Sequence, residues 1–157
     1  MKILHRESGD LHEAHISLIE DEDWEIIKQS DQFKFKWIQE KERVVYKIQL
    51  TVEDDILGLI STEDIPREYR IHIHLVENSD ANKGKNKTYD FIAGALIAYT
   101  CQLAFDKDYD GFVSLEPKTA LISLYKEKYG FQEMGNFLYT QLENSEALIK
   151  KYLSDEE

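Results

Sequence analysis

The cleanest pattern in the chain lies at 69–75, where Tyr69, Ile71, Ile73 and Leu75 alternate with Arg70, His72 and His74. Period-two alternation puts the two sets on opposite faces of a β-strand. Two further strands precede it. In 44–52, Tyr46, Ile48, Leu50 and Val52 point one way and Lys47, Gln49 and Thr51 the other. The run 56–60 is continuously apolar, as in a central strand covered on both faces. Polar connections at 53–55 and 61–66 make the three an antiparallel meander. Upstream the pattern is weaker. Ile16, Leu18 and Ile26 sit among acidic residues, while Phe33, Phe35 and Trp37 alternate with Lys34 and Lys36 like a strand.

After residue 77 the character changes. The segment 78–88 is polar and loop-like, and 89–105 is rich in Ala and Leu and long enough for a helix. A short strand at 112–115 follows a turn at 106–111. The segment 118–129 is helical in pattern, with Leu121, Ile122, Leu124 and Tyr125 inward and Gly130 as its C-cap. Two strands, 131–134 and 137–142, flank Gly135 and Asn136. A last helix spans 145–153, with Asn144 or Ser145 as its cap. The order predicts an α/β (α+β) fold: a mixed, twisted sheet with an antiparallel N-terminal meander, a β-loop-α-β unit and helices on both faces. The strands near 70–76 and 112–115 should be parallel neighbours, because a helical crossover joins parallel strands.

At 157 residues and 42% apolar content the chain suits one domain spanning 1–157, with a charged fringe that closes on Asp155, Glu156 and Glu157. Cys101, in an apolar stretch, reads as a buried inert thiol. No His/Cys spacing suggests a metal. The absence of a leader-like or bilayer-length apolar run predicts a cytoplasmic protein with no membrane partner. A formal net charge of -12 repels nucleic acid and favours a cationic partner such as an amine.

Against that acidic background, 83–88 reads Lys-Gly-Lys-Asn-Lys-Thr between a strong strand and a long helix. Free amides at a helix start, with lysines beside them, suit a pyrophosphate. The element order, this loop and the later Leu124-Tyr125-Lys126-Glu127-Lys128-Tyr129-Gly130-Phe131 resemble the GCN5-related N-acetyltransferase superfamily. In that family a loop of pattern Arg/Gln-x-x-Gly-x-Gly/Ala binds the pyrophosphate of coenzyme A, and a later helix ends in a tyrosine motif closed by Gly-Phe. The likeness covers roughly 44–139. Asn86 stands for the first family glycine and Thr88 for the second small residue; the interval from Tyr125 to Gly130 is one residue longer than usual.

The resemblance implies an acetyl-CoA-dependent N-acyltransferase acting on a primary amine of a small molecule or peptide by direct attack. It assigns the cofactor to Lys83, Gly84, Lys85, Asn86, Lys87 and Thr88, and to the backbone of Leu75 and Val76, which would polarise the thioester carbonyl. Tyr125 is the implied acid for the departing thiolate, with Tyr129 as its rival. Glu77, at the end of the strand, is the preferred base, and His72 or His74 takes the part if it lines the cleft. A second reading keeps the fold and CoA affinity but not turnover, leaving a ligand- or protein-binding module. The acceptor's identity and the oligomeric state, homodimer included, stay open.

Overall fold

The computed structural model describes residues 1–154; Asp155, Glu156 and Glu157 lie outside the described residues. The strands are β1 (Lys2–His5), β2 (Leu11–Leu18), β3 (Val44–Leu50), β4 (Ile56–Ile65), β5 (Arg70–Asn78), β6 (Tyr89–Asp90), β7 (Val113–Leu115), β8 (Gln132–Met134) and β9 (Phe137–Thr140). The helices are α1 (Asp21–Gln29), α2 (Ile92–Asp106), α3 (Ile122–Tyr129) and α4 (Leu142–Leu153). All the strands join one mixed sheet, in the order β6-β1-β2-β3-β4-β5-β7-β9-β8. The meander β3-β4-β5 is antiparallel, and β5 runs parallel to β7, with Ile71 opposite Val113 and Ile73 opposite Leu115. The helix between them is α2, so the crossover expected from the element order is present.

Both sheet faces are covered. The larger core joins Ile48, Ile60, Ile71 and Ile73 to the buried side of α2 (Ala95, Leu96, Cys101), to Tyr125 and Tyr129 of α3, and to Leu148 and Tyr152 of α4. The smaller core holds Val45 and Leu59 against Ile27 of α1 and Trp37. Burial pushes the Cys101 thiol up to about 12, which keeps it protonated and inert. Among the described residues no helix is long and apolar enough to cross a membrane.

Several expectations need correction. The N-terminal third contains β1, β2 and α1. In β2 the inward residues are Ala14 and Ile16, while Leu11 and Leu18 are exposed, so its alternation is faint in the sequence. Of the acidic residues before Ile26, Asp21, Glu22 and Asp23 form the first turn of α1, where negative charge complements the helix dipole. Asp23 accepts the N–H of Glu20 and also pairs at 2.7 Å with the buried Lys47 ammonium of β3. Residues 33–37 form no strand; they cross the sheet as an irregular strap that ends in a single 3-10 turn, Trp37–Glu40. The segment 61–65, expected as a connection, continues β4. The last helix starts at Leu142, and Asn144 and Ser145 lie inside it. They bond Tyr129 and Gly111 carbonyls rather than capping.

Gly94 sets how the two long helices meet. A Cβ there would run into the Tyr152 ring, so α4 can lay Tyr152 on the first turn of α2 only because Gly94 has no side chain. Gly94→Ala is expected to destabilise the fold by about 1–3 kcal/mol through overpacking. The urea midpoint measures it; an unchanged midpoint would show that Tyr152 yields freely.

Candidate active site

The site starts from an irregularity in β5. Ser61 of β4 faces Leu75, but the next residue, Thr62, faces Ile73, so His74 is an extra residue in β5. The bulge reverses the alternation. Ile71 and Ile73 face the larger core, whereas Leu75 packs with the smaller one and Glu77 reaches Trp37 on that same side. Meanwhile β7 ends at Leu115, opposite Ile73. Among the described residues, the β7 side of β5 has no strand partner from His74 onward. Alternate amides there face a cleft where the sheet splits.

Two cavities enter this split. One, of about 710 Å³, runs from Val76 past Asn78 to the first turn of α2 and the outer end of α3. The other, of about 140 Å³, lies on the side of His74, Leu75 and Lys118. They meet at Phe35, Val76, Leu121 and Tyr125, which line both. Tyr129 lines only the larger. Burial raises the phenols of Tyr125 and Tyr129, so both stay protonated at neutral pH. Among the described residues the Tyr125 hydroxyl makes no hydrogen bond; its ring packs on Tyr129 and Phe131 at 5.9 and 5.8 Å between centroids.

The helix start, with its free amides, lies later in the chain than the lysines at 83–87 suggest. Between 83–88 and the helix stands β6, tied to β1 through Leu4–Asp90 and His5–Tyr89. The Thr88 amide is spent on the Ala81 carbonyl, and Lys85, Asn86 and Thr88 do not line the cavity. Lys83, Gly84 and Lys87 do line it. Lys83 bridges Glu77 at 2.5 Å and Asp80 at 2.9 Å, and Lys87 meets Asp90 at 2.9 Å. The helix begins at Ile92, after Phe91 in the left-handed region at φ 80°. Ile92, Ala93 and Gly94 line the cavity, and as the first residues of a helix their amides have no partner four residues back.

Glu77 does not suit the part of a base. Its buried carboxylate accepts the N–H of Lys34 (2.8 Å), the N–H of Phe35 (3.2 Å), the indole N–H of Trp37 (2.8 Å) and the Lys83 ammonium. Burial pushes its acidity toward weaker, but the bonds from Lys83, Lys34, Trp37 and Phe35 together outweigh that and hold the carboxyl below its ordinary value. It clamps the strap 33–37 over the sheet and so shapes both cavities. His72 is buried against Ser114 (2.8 Å) and Arg70 (3.1 Å); burial, His74 and Arg70 lower it to about 4, so it stays neutral. His74, on the bulge, lines the smaller cavity and its Nε2 is held by Glu63 at 2.7 Å.

No family sequence profile matches the chain, and no curated protein matches it by sequence. Solved structures do match in shape. A protein from Bacillus anthracis str. Ames, assigned as a streptothricin acetyltransferase and solved with acetyl coenzyme A, superposes with TM-score 0.63 at 13% identity, covering 84% of this chain and 99% of its own. A Bacillus subtilis acetyltransferase in complex with CoA gives TM-score 0.56 at 15% identity, covering 83% and 99%. The chain has the GCN5-related N-acetyltransferase fold. AtaT complexed with acetyl-methionyl-tRNAfMet shares it, with TM-score 0.53 at 12% identity over 87% of this chain and 99% of that one. Within the acetyltransferase fold, the helix start moves the loop pattern onto Thr88-Tyr89-Asp90-Phe91-Ile92-Ala93. Ala93 then stands at the second small position, and Phe91, at φ 80°, at that of the first glycine. A bulky residue with positive φ is strained. Phe91, Ile92, Ala93 and Gly94, none of them singled out from sequence, line the larger cavity. The positive φ of Phe91 has no sequence signature.

Proposed function

We propose that the protein transfers an acetyl group from acetyl-CoA to a primary amine by direct attack. The observation that carries this reading is the meeting of the two cavities at Val76 and Tyr125, beside the free edge of β5. The larger cavity has the size of a cofactor site. Its residues fit CoA: the first amides of α2 for a pyrophosphate, lysines for charge, and the Asn78 Oδ1, buried without a partner among the described residues, for an amide N–H of the pantetheine arm. Bound there, acetyl-CoA supplies an acyl group activated as a thioester.

The protein's own contribution is placement and proton handling. Amides on the free edge of β5, near Leu75 and Val76, polarise the carbonyl. Tyr125 donates the proton to the departing sulfur, because it stands at the junction and its hydroxyl is uncommitted. His74, oriented by Glu63, accepts the amine proton from the smaller cavity, replacing Glu77 in that part. Glu63 and Glu116 give that side carboxylates to attract a cationic amine. A net charge of -12 disfavours a tRNA acceptor of the kind named for AtaT, so the acceptor is a small-molecule or peptide amine.

Calorimetric titration with CoA, followed by thiol release from acetyl-CoA with a panel of amines, tests the reading. Binding with release supports it. Binding with no release under any amine would favour the non-catalytic module, a reading prompted by the strained Phe91 at the pyrophosphate turn. No heat at millimolar CoA would remove both. His74→Gln is expected to shift the acid limb of the kcat/KM–pH profile toward the pKa of the free amine. Superimposable profiles would take His74 out of the mechanism.

A further inference from the structure

Resting on the acetyl-CoA reading, we infer that Lys87, Lys128 and Lys151 form a second phosphate subsite that takes the 3′-phosphate of CoA, distinct from the amides at the start of α2. The three lysines come from three separate elements, the loop before β6, α3 and α4, yet line one cavity. In a chain of net charge -12 such convergence has no origin in composition.

Packing explains how they meet. Gly94 admits Tyr152 to the first turn of α2, and Tyr152 rests 6.2 Å from the Tyr129 ring. Each tyrosine carries a neighbouring lysine over its ring: Lys128 at 5.7 Å over Tyr129 and Lys151 at 5.3 Å over Tyr152. Lys87 approaches from the loop, anchored at 2.9 Å by Asp90, whose carboxylate also faces Arg6 at 3.6 Å. Asp90 is the one carboxylate paired to any of the three lysines among the described residues. Burial and the charges of Lys87 and Lys151 hold the Lys128 ammonium below its usual range, while Asp90 pulls the other way. Like charges gathered at a cavity wall raise the free energy of the empty site, and a dianion relieves it.

The position fits an outer phosphate. Tyr125, at the junction, faces the reacting end. Lys128 lies three residues further along α3, lining only the larger cavity, as do Lys87 and Lys151. A phosphomonoester carries nearly two charges at neutral pH, against one on each phosphate of the pyrophosphate, so a cluster of lysine point charges suits it. The aromatic pair beneath positions the ammonium groups by cation–π contact.

The test compares CoA with dephospho-CoA, which lacks only the 3′-phosphate, by isothermal titration at low and high salt. Wild type is expected to bind CoA on the order of tenfold tighter at low salt, with the gap narrowing as salt rises. Lys128→Gln with Lys151→Gln should erase the gap by weakening CoA alone, whereas Lys150→Gln, outside the cavity, should preserve it. Equal affinities in the wild type overturn the subsite while leaving the acetyl-CoA reading intact. A double variant that weakens both ligands equally overturns it too, since the lysines would then serve the pyrophosphate. If neither ligand binds, the acetyl-CoA reading itself falls, and the subsite with it.

Discussion

Tyr125→Phe is expected to lower kcat by about 100-fold or more while leaving KM for acetyl-CoA nearly unchanged. The phenol proton matters only as the thiolate leaves, so its loss removes an interaction made in the transition state and spares ground-state binding. The ring stays, with its contacts to Tyr129 and Phe131, so stability should barely move. Burial keeps the phenol protonated, the state an acid needs. The decisive comparison is Tyr129→Phe in the same thiol-release assay. Tyr129 lines the larger cavity alone, away from the junction, and its variant should retain near wild-type kcat. The opposite pattern would move the role to Tyr129; no loss in either would leave proton delivery to solvent.

Glu77→Gln should have the largest effect on stability, roughly 3 kcal/mol or more. A carboxylate offers two acceptor oxygens to its four donors, among them the Lys83 ammonium. An amide offers one oxygen and turns an NH₂ toward the others, leaving buried donors unpaired. The strap 33–37 should loosen, exposing Trp37 and opening both cavities that Phe35 lines. Chemical denaturation followed by Trp fluorescence checks this, and a midpoint equal to wild type would show the clamp to be idle. The pH dependence has a definite sign. The folded carboxyl lies below its ordinary value of 4.5, so its contribution is present above 4.5 and is lost as pH falls through the lower folded value. Between pH 5 and that lower value the wild type should lose stability faster than the Gln variant. Parallel curves would overturn the assignment.

Much of the architecture could be read from residues alone. Period-two runs in β3 and β5, the apolar β4 and the Ala/Leu-rich α2 are local patterns, and a helical crossover between strands dictates parallel neighbours whatever the side chains. Gly130 ends α3 in the left-handed region, as its position predicted. Tyr125 lay on a helix face that had to turn inward, though its neighbour at 129 shares that face one turn on.

What tertiary structure decided was direction and commitment. Alternation in 69–77 puts Ile71, Ile73, Leu75 and Glu77 on one face, but the bulge at His74 sends Leu75 and Glu77 to the other. A one-residue slip in pairing depends on the partner strand, and no local pattern encodes it. The same holds for the helix start. Lysine, glycine and asparagine at 83–88 mark a polar turn, but β6 binds to β1, more than eighty residues away in sequence, and delays α2 to Ile92. Charge follows the same rule. Lys83 and Glu77 each carry the chemistry expected of a site, yet they neutralise one another and hold a strap. Lys128 and Lys151, on the exposed sides of α3 and α4, share a cavity wall because Gly94 admits Tyr152 to α2 and Tyr152 there meets Tyr129. Residue type sets what a group can do; long-range packing decides which neighbour it does it with.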